Sequence, residues 1–312
     1  MMDALAGAFA ALATPVQDDG RPDLPTFERL IDFVLERGVD GTVVGGGTGE
    51  YIDFGVAERI RLASLAAKRI NGRRKLITCI GTSSIHSTRE LVRGAEDAGS
   101  DALLIPMPYF FRYEQEDLAA FCEAVCGTTS LPCLLYNLPS FTNPILPETA
   151  LSLMHRIPNL IGMKDSSGET SHLESLARGR EGKKISLLVG DDSLLFGALD
   201  AGWDGVISGI ASFAPELIVA VYQAFRAGRK EEARQQQQEL DTVIEEIVRL
   251  PIPWGVRVGL SARGIANGPL HLPASGKREA QIAELKNWLK DWATQRGTTL
   301  EQIWPTLPVR LS

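Results

Sequence analysis

The chain has 312 residues, and its 32 basic against 39 acidic side chains leave a formal charge of −7. That balance offers no basic face for nucleic acid, and 44% hydrophobic with 23% charged residues argues against a disordered chain. No run of about 18 apolar residues occurs, so no membrane-spanning helix is expected.

Short apolar runs alternate with longer amphipathic segments along most of the chain. The N-terminus lacks a basic region, and its apolar character continues into the first run, 8–15. A helix over 25–37 follows, opened by Asp23-Leu24-Pro25 and closed by Gly38. The next pairs are a strand at 42–46 with a helix at 56–70, 76–81 with 87–98, and 102–106 with 116–126. Then come 133–137 with 148–156, 160–164 with 169–178, 186–190 with 193–201, and 205–208 with 215–227. The strand runs are rich in Val, Ile and Leu without clean alternation, as expected of parallel strands covered on both faces. Eight such units predict an α/β fold, a (β/α)8 TIM barrel over residues 1–228.

Residues 229–312 read as a C-terminal helical extension packed on the barrel, with helices over 231–250 and 281–296 and a surface arm at 304–310. The glutamines at 235–238 read as a solvated helix face. Cys79 and Cys133 lie in strand-like runs and Cys122 and Cys126 on one helix, with no CxxC. Buried free thiols in a reduced, cytoplasmic compartment are therefore expected.

In such a barrel the active site lies at the C-terminal ends of the strands. The polar residues there are Thr14, the Gly46-Gly47-Thr48-Gly49-Glu50 loop, Thr82 and Ser83, Tyr109, Tyr136-Asn137, Lys164 to Ser167, Asp191-Asp192 and Ser208. Lys164 ends the run Asn159-Leu160-Ile161-Gly162-Met163, and lysine is rarely buried without a partner or a task. One reading is an ion pair with Asp165 or another barrel carboxylate. The other is a nucleophilic amine, since burial disfavours the ammonium and frees a lone pair to attack a ketone. The resulting iminium is an electron sink for C–C cleavage or proton loss at the adjacent carbon.

Tyr136, one strand away, is a packing residue or a proton shuttle. The glycine-rich loop is a simple turn or a cradle of N–H groups for a carboxylate, with Thr48 adding a hydroxyl. It matches neither a P-loop nor the dinucleotide fingerprint. The histidines, His86, His155, His172 and His271, are scattered and read as surface residues, so no metal site is expected. Asp191-Asp192 reads as a helix N-cap rather than a metal ligand.

Taken together, Gly46-Gly47-Thr48-Gly49-Glu50, Tyr136-Asn137-Leu138-Pro139, Gly162-Met163-Lys164-Asp165 and Gly205-Val206-Ile207-Ser208 resemble the dihydrodipicolinate synthase/N-acetylneuraminate lyase family, in order and spacing over residues 7–295. The resemblance implies a class I pyruvate-dependent aldolase or dehydratase, usually a homotetramer. It implies that Lys164 forms the Schiff base with pyruvate or another 2-oxo acid and that Tyr136 relays protons. Gly47 and Thr48 would hold the carboxylate, Ile207 would offer its carbonyl near the reacting centre, and Gly190 would line the pocket. No cofactor is implied beyond the covalent Schiff base on Lys164.

Departures bear on the second substrate. Gly47 stands where the synthases carry threonine, and Phe110 where a neighbouring subunit's tyrosine is expected. Phe141 replaces the arginine that grips the aldehyde's carboxylate. Ser193 stands where sialic-acid lyases carry glutamate. The expected activity is that of a lyase joining or cleaving a 2-oxo acid and an aldehyde, a 2-keto-3-deoxy sugar acid among the candidates. The alternatives are 4-hydroxy-tetrahydrodipicolinate synthase of lysine biosynthesis, with Arg112 or Arg257 as a rearranged clamp, a metal-dependent barrel aldolase, and a non-catalytic barrel that binds a 2-oxo acid.

Overall fold

The computed structural model describes residues 5–180 and 182–295. Eight parallel strands close into a barrel in sequence order, each hydrogen-bonded to the next and β8 back to β1. They are β1 (Gly7–Ala11), β2 (Gly41–Val44), β3 (Lys75–Cys79), β4 (Ala102–Pro106), β5 (Cys133–Asn137), β6 (Leu160–Asp165), β7 (Ser186–Val189) and β8 (Gly205–Ser208). Each strand is followed by its helix: α1 (Leu24–Glu36), α2 (Val56–Ile70), α3 (Ile85–Ala98), α4 (Gln115–Cys126), α5 (Pro147–Arg156), α6 (Thr170–Arg178), α7 (Leu195–Asp200) and α8 (Pro215–Arg226). The predicted strand–helix alternation is therefore the observed order, with ends shifted by a few residues where loops begin.

Two apolar layers hold the barrel. Side chains such as Phe9, Val43, Ile77, Leu104, Leu134, Leu188 and Ile207 fill its interior. Their strand neighbours, among them Ala10, Val44, Leu103, Leu135 and Val189, pack outward against the helices. This two-sided burial removes the polar alternation from the sequence. At the seam of β1 and β8 the backbones come so close that a Cβ on Gly205 would lie 1.9 Å from the Gly7 carbonyl oxygen, so the register there tolerates only glycine.

Three helices follow: α9 (Lys230–Ile247), α10 (Ile252–Ala262) and α11 (Gly276–Gln295). The sequence pattern does not set α10 apart. Its start is the Pro251-Ile252-Pro253 segment, where prolines fall in the first turn and need no N–H donor. The arm expected at 304–310 lies outside the described residues. The four cysteines are free and buried, and no described helix is long and apolar enough to cross a membrane.

Candidate active site

A bulge aims the lysine. Cys133 pairs with Leu160 but Leu134 pairs with Gly162, so Ile161 is an extra residue in β6. Beyond it the strands are in phase: Leu135 faces Met163 and Tyr136 faces Lys164. Leu134 and Tyr136 belong to the barrel interior, and Met163 packs outward. Lys164 therefore turns inward beside Tyr136, where it is only 5% exposed. Its Nζ stands 4.4 Å above the Tyr136 ring centroid.

Asp165 does not pair with it. That carboxylate is on the opposite face, accepting from Asn137 Nδ2 at 2.7 Å and Ser167 Oγ at 2.8 Å, with His172 Nδ1 at 3.3 Å. Among the described residues Lys164 makes no ion pair. A lysine in the barrel's interior without a carboxylate partner favours the nucleophile reading over the structural one.

The glycine-rich loop closes over the same spot. A Cβ at Gly47 would stand 3.9 Å from the Tyr136 hydroxyl, and one at Gly209, past β8, would stand 2.9 Å from Thr48 Oγ1. The N–H groups of Gly49 and Glu50 serve the turn, donating to the carbonyls of Gly46 and Gly47 at 3.0 Å. Those of Gly47 and Thr48 have no protein acceptor among the described residues, as a carboxylate cradle requires. Gly190, after β7, allows a close approach: a Cβ there would lie 2.4 Å from Lys164 Cε and 2.0 Å from Ser166 Oγ. Ile207 is fully buried in the interior layer.

Phe141 departs from this cluster. It sits on the loop after β5 and is 72% exposed, with Phe110 at 88% and Phe111 at 64% on the loop after β4. Phe110 adopts φ 82°, a left-handed conformation unusual for an aromatic residue.

The extension supplies parts of the site's support that the sequence did not reveal. Arg257 of α10 is buried and donates to Glu50 Oε2 at 2.8 Å and to the Gly268 carbonyl at 3.3 Å. Glu50 is held at φ 52° on the same loop as Thr48. Arg257 is thus consumed internally and is not an anion clamp, while Arg112 is exposed. An arginine inside the apolar run of α10 was the available signal, the same kind as Lys164.

Gln237, expected on a solvated face, is buried. Its Nε2 donates to the Asp192 carbonyl at 3.1 Å, and its Oε1 accepts from Phe196 N–H at 3.0 Å, which fastens the loop after β7. Asp191 is the expected cap, accepting from Ser193 N–H at 3.1 Å. Asp192 instead turns inward.

The surface reading of the histidines holds only for His86; His155, His172 and His271 are half-buried. His271 packs edge-on against Phe54, its Nε2 3.8 Å from Glu50. Glu50, Asp53 and His271 bring ligand-type atoms within 4.8 Å of one another. The Arg257 guanidinium already neutralises Glu50 there, which opposes a cation.

A family model described as the dihydrodipicolinate synthetase family matches residues 4–292. The chain is 31% identical over 282 residues to the 4-hydroxy-tetrahydrodipicolinate synthase of Bacillus subtilis (strain 168), covering 90% of this chain and 97% of that one. It is 32% identical over 292 residues to the synthase of Persephonella marina, covering 93% and 99%. Among solved structures it resembles YagE, a prophage protein of E. coli K12 in complex with pyruvate, with TM-score 0.87 and 29% identity over 92% of this chain and 98% of that one. A monomeric dihydrodipicolinate synthase variant superimposes with TM-score 0.85 at 28% identity, covering 92% and 97%.

Proposed function

The chain belongs to the dihydrodipicolinate synthetase family, and from that membership we propose that it is a class I lyase whose Lys164 forms a Schiff base with pyruvate or a related 2-oxo acid. The observation that carries this reading is the buried amine of Lys164 over the Tyr136 ring without an ion-pair partner among the described residues. Tyr136 moves protons at the reacting centre. Gly47 and Thr48 receive the 2-oxo acid's carboxylate, Gly190 leaves room for the lysine stem, and the Ile207 carbonyl borders the site. The iminium supplies the electron sink, so neither metal nor organic cofactor is required. Borohydride reduction with pyruvate is expected to fix a covalent adduct on Lys164. An adduct mapped to another lysine, or none at all, rules the reading out.

The second substrate is a neutral or hydroxylated aldehyde, and the corresponding product is a 2-keto-3-deoxy acid. Support comes from the cations near the mouth. Phe141 offers an anion no partner, Arg257 is bound to Glu50, and Arg59 donates to the carbonyls of Gly81 and Cys79 at 2.7 and 3.0 Å. A missing charge-assisted contact is worth on the order of 10²-fold in catalytic efficiency. With pyruvate, kcat/KM for aspartate semialdehyde is therefore expected to fall about 10²-fold below that for glyceraldehyde. The reverse order would make the chain a 4-hydroxy-tetrahydrodipicolinate synthase with Arg112 as its clamp.

The exposed Phe110, Phe111 and Phe141 support assembly of copies at the mouth, as in a homotetramer. Four buried free thiols support a reducing compartment, the cytoplasm.

A further inference from the structure

The loop between β7 and α7 places a carboxyl at the mouth of the barrel that the reading above does not use. Asp192 is half-buried as a residue, but its Oδ1 is shut off from solvent and has no hydrogen-bond partner among the described residues. Its Oδ2 receives a long contact from the Ile210 N–H, at 3.4 Å, and the Ser208 hydroxyl stands beside the carboxyl. Gly190, two residues earlier, lies against the stem of Lys164, so this loop and the lysine border the same space. Gln237 of α9 holds the loop through the Asp192 and Ser193 carbonyls and the Phe196 N–H. The carboxyl is therefore fixed in place while one of its oxygens is left open.

A buried carboxyl oxygen without a donor is costly unless it carries a proton or meets a ligand. We propose that Asp192 is a second proton-carrying group of the reaction, acting at the Lys164 adduct alongside Tyr136. The inference rests on the Schiff-base reading of Lys164.

The neutral Lys164 amine adds to the ketone carbon, and one amine proton moves to the oxygen to give a carbinolamine. The Asp192 carboxylic acid protonates that hydroxyl, the C–O bond breaks, water leaves, and the nitrogen lone pair forms the iminium. The Asp192 carboxylate then removes a proton from C3, giving the enamine and regenerating the acid. The enamine carbon is the nucleophile toward the aldehyde, whose oxygen takes its proton from Tyr136.

The surroundings suit a group that changes protonation near neutrality. Burial pushes the Asp192 carboxyl up to about 7, against the Ser208 and Ile210 contacts and the charge of Lys164, which pull it down. Asp191 on the same loop pushes it further up. The β8 side brings only the Ser208 hydroxyl and the Ile210 N–H, and α9 brings Gln237 with Asp241 behind it.

Exchange of the pyruvate methyl protons for deuterium, followed by NMR, tests this without an aldehyde. The wild-type exchange rate is expected to change through an ionisation near 7. Asp192→Asn keeps the shape of the side chain. It is expected to exchange about 10²-fold more slowly or worse and to lose that ionisation, while borohydride still traps pyruvate on Lys164 after longer incubation. A carboxyl raised above its unfolded value makes its stability contribution at low pH and loses it as pH rises through the folded value. The variant is therefore expected to gain stability relative to wild type as pH rises from about 4 to about 7 and to hold that gain above it, which serves as its folding control. An Asp192→Asn variant with wild-type exchange and an unchanged pH profile overturns the proposal, as does a wild-type profile flat between about pH 5.5 and 8.5. In both cases the Lys164 adduct remains trapped, so the Schiff-base reading survives. If the wild type traps no adduct on Lys164, both fall.

Discussion

Lys164→Ala is expected to abolish turnover while leaving the barrel folded. Removing a covalent nucleophile takes away the intermediate itself, and reductions on the order of 10⁴-fold or more are the rule for such groups. The side chain lies at the mouth end of β6, beyond the Phe9, Ile77 and Leu104 layers that fill the interior. Its strand partners Tyr136 and Leu188 keep their pairing through the backbone. Alanine gives up only the packing of the lysine stem and the Nζ contact over one aromatic ring, and no ion pair among the described residues is broken. Circular dichroism and the urea midpoint should therefore stay near wild type while the rate falls and borohydride attaches no pyruvate to the protein. Retention of even about a hundredth of the wild-type rate would show that the chemistry does not pass through this amine.

Tyr136→Phe is the second large effect, expected to slow turnover by about 10²–10⁴-fold. Phenylalanine keeps the ring beneath Lys164 Nζ and its place in the interior layer, and it removes only the hydroxyl that points toward Gly47. Positioning of the amine and the carboxylate cradle should survive. Pyruvate is then expected to be trapped on Lys164 at a KM within a few-fold of wild type, with kcat carrying the loss. A loss confined to KM would make the hydroxyl a binding contact, and an unchanged rate would make Tyr136 a packing residue. Comparing this variant with Asp192→Asn separates two proton tasks, because methyl exchange needs no protonation of an aldehyde oxygen.

The sequence alone settled the fold class and singled out the lysine as a candidate. Eight apolar runs separated by amphipathic segments admit few closures, and parallel strands buried on both faces produce that pattern. A lysine inside such a run, a tyrosine ending the run before it and a glycine-rich turn were all legible, because each is a residue type out of keeping with its local surroundings. The direction of the lysine was not legible. Period-two counting from Ile161 would place Lys164 on the helix-facing side, and the bulge that reverses this leaves no reliable mark in an apolar run. Neither was the partnership of Arg257 with Glu50, 207 residues apart, nor the grip of Gln237 on the loop after β7. These contacts join the extension to the barrel's mouth, and their energy depends on burial and on which groups meet, quantities that exist only once the chain has closed. Asp191 and Asp192 make the same point at shorter range. Two identical carboxyls stand side by side, and the turn they share aims one at a helix end and the other into the barrel.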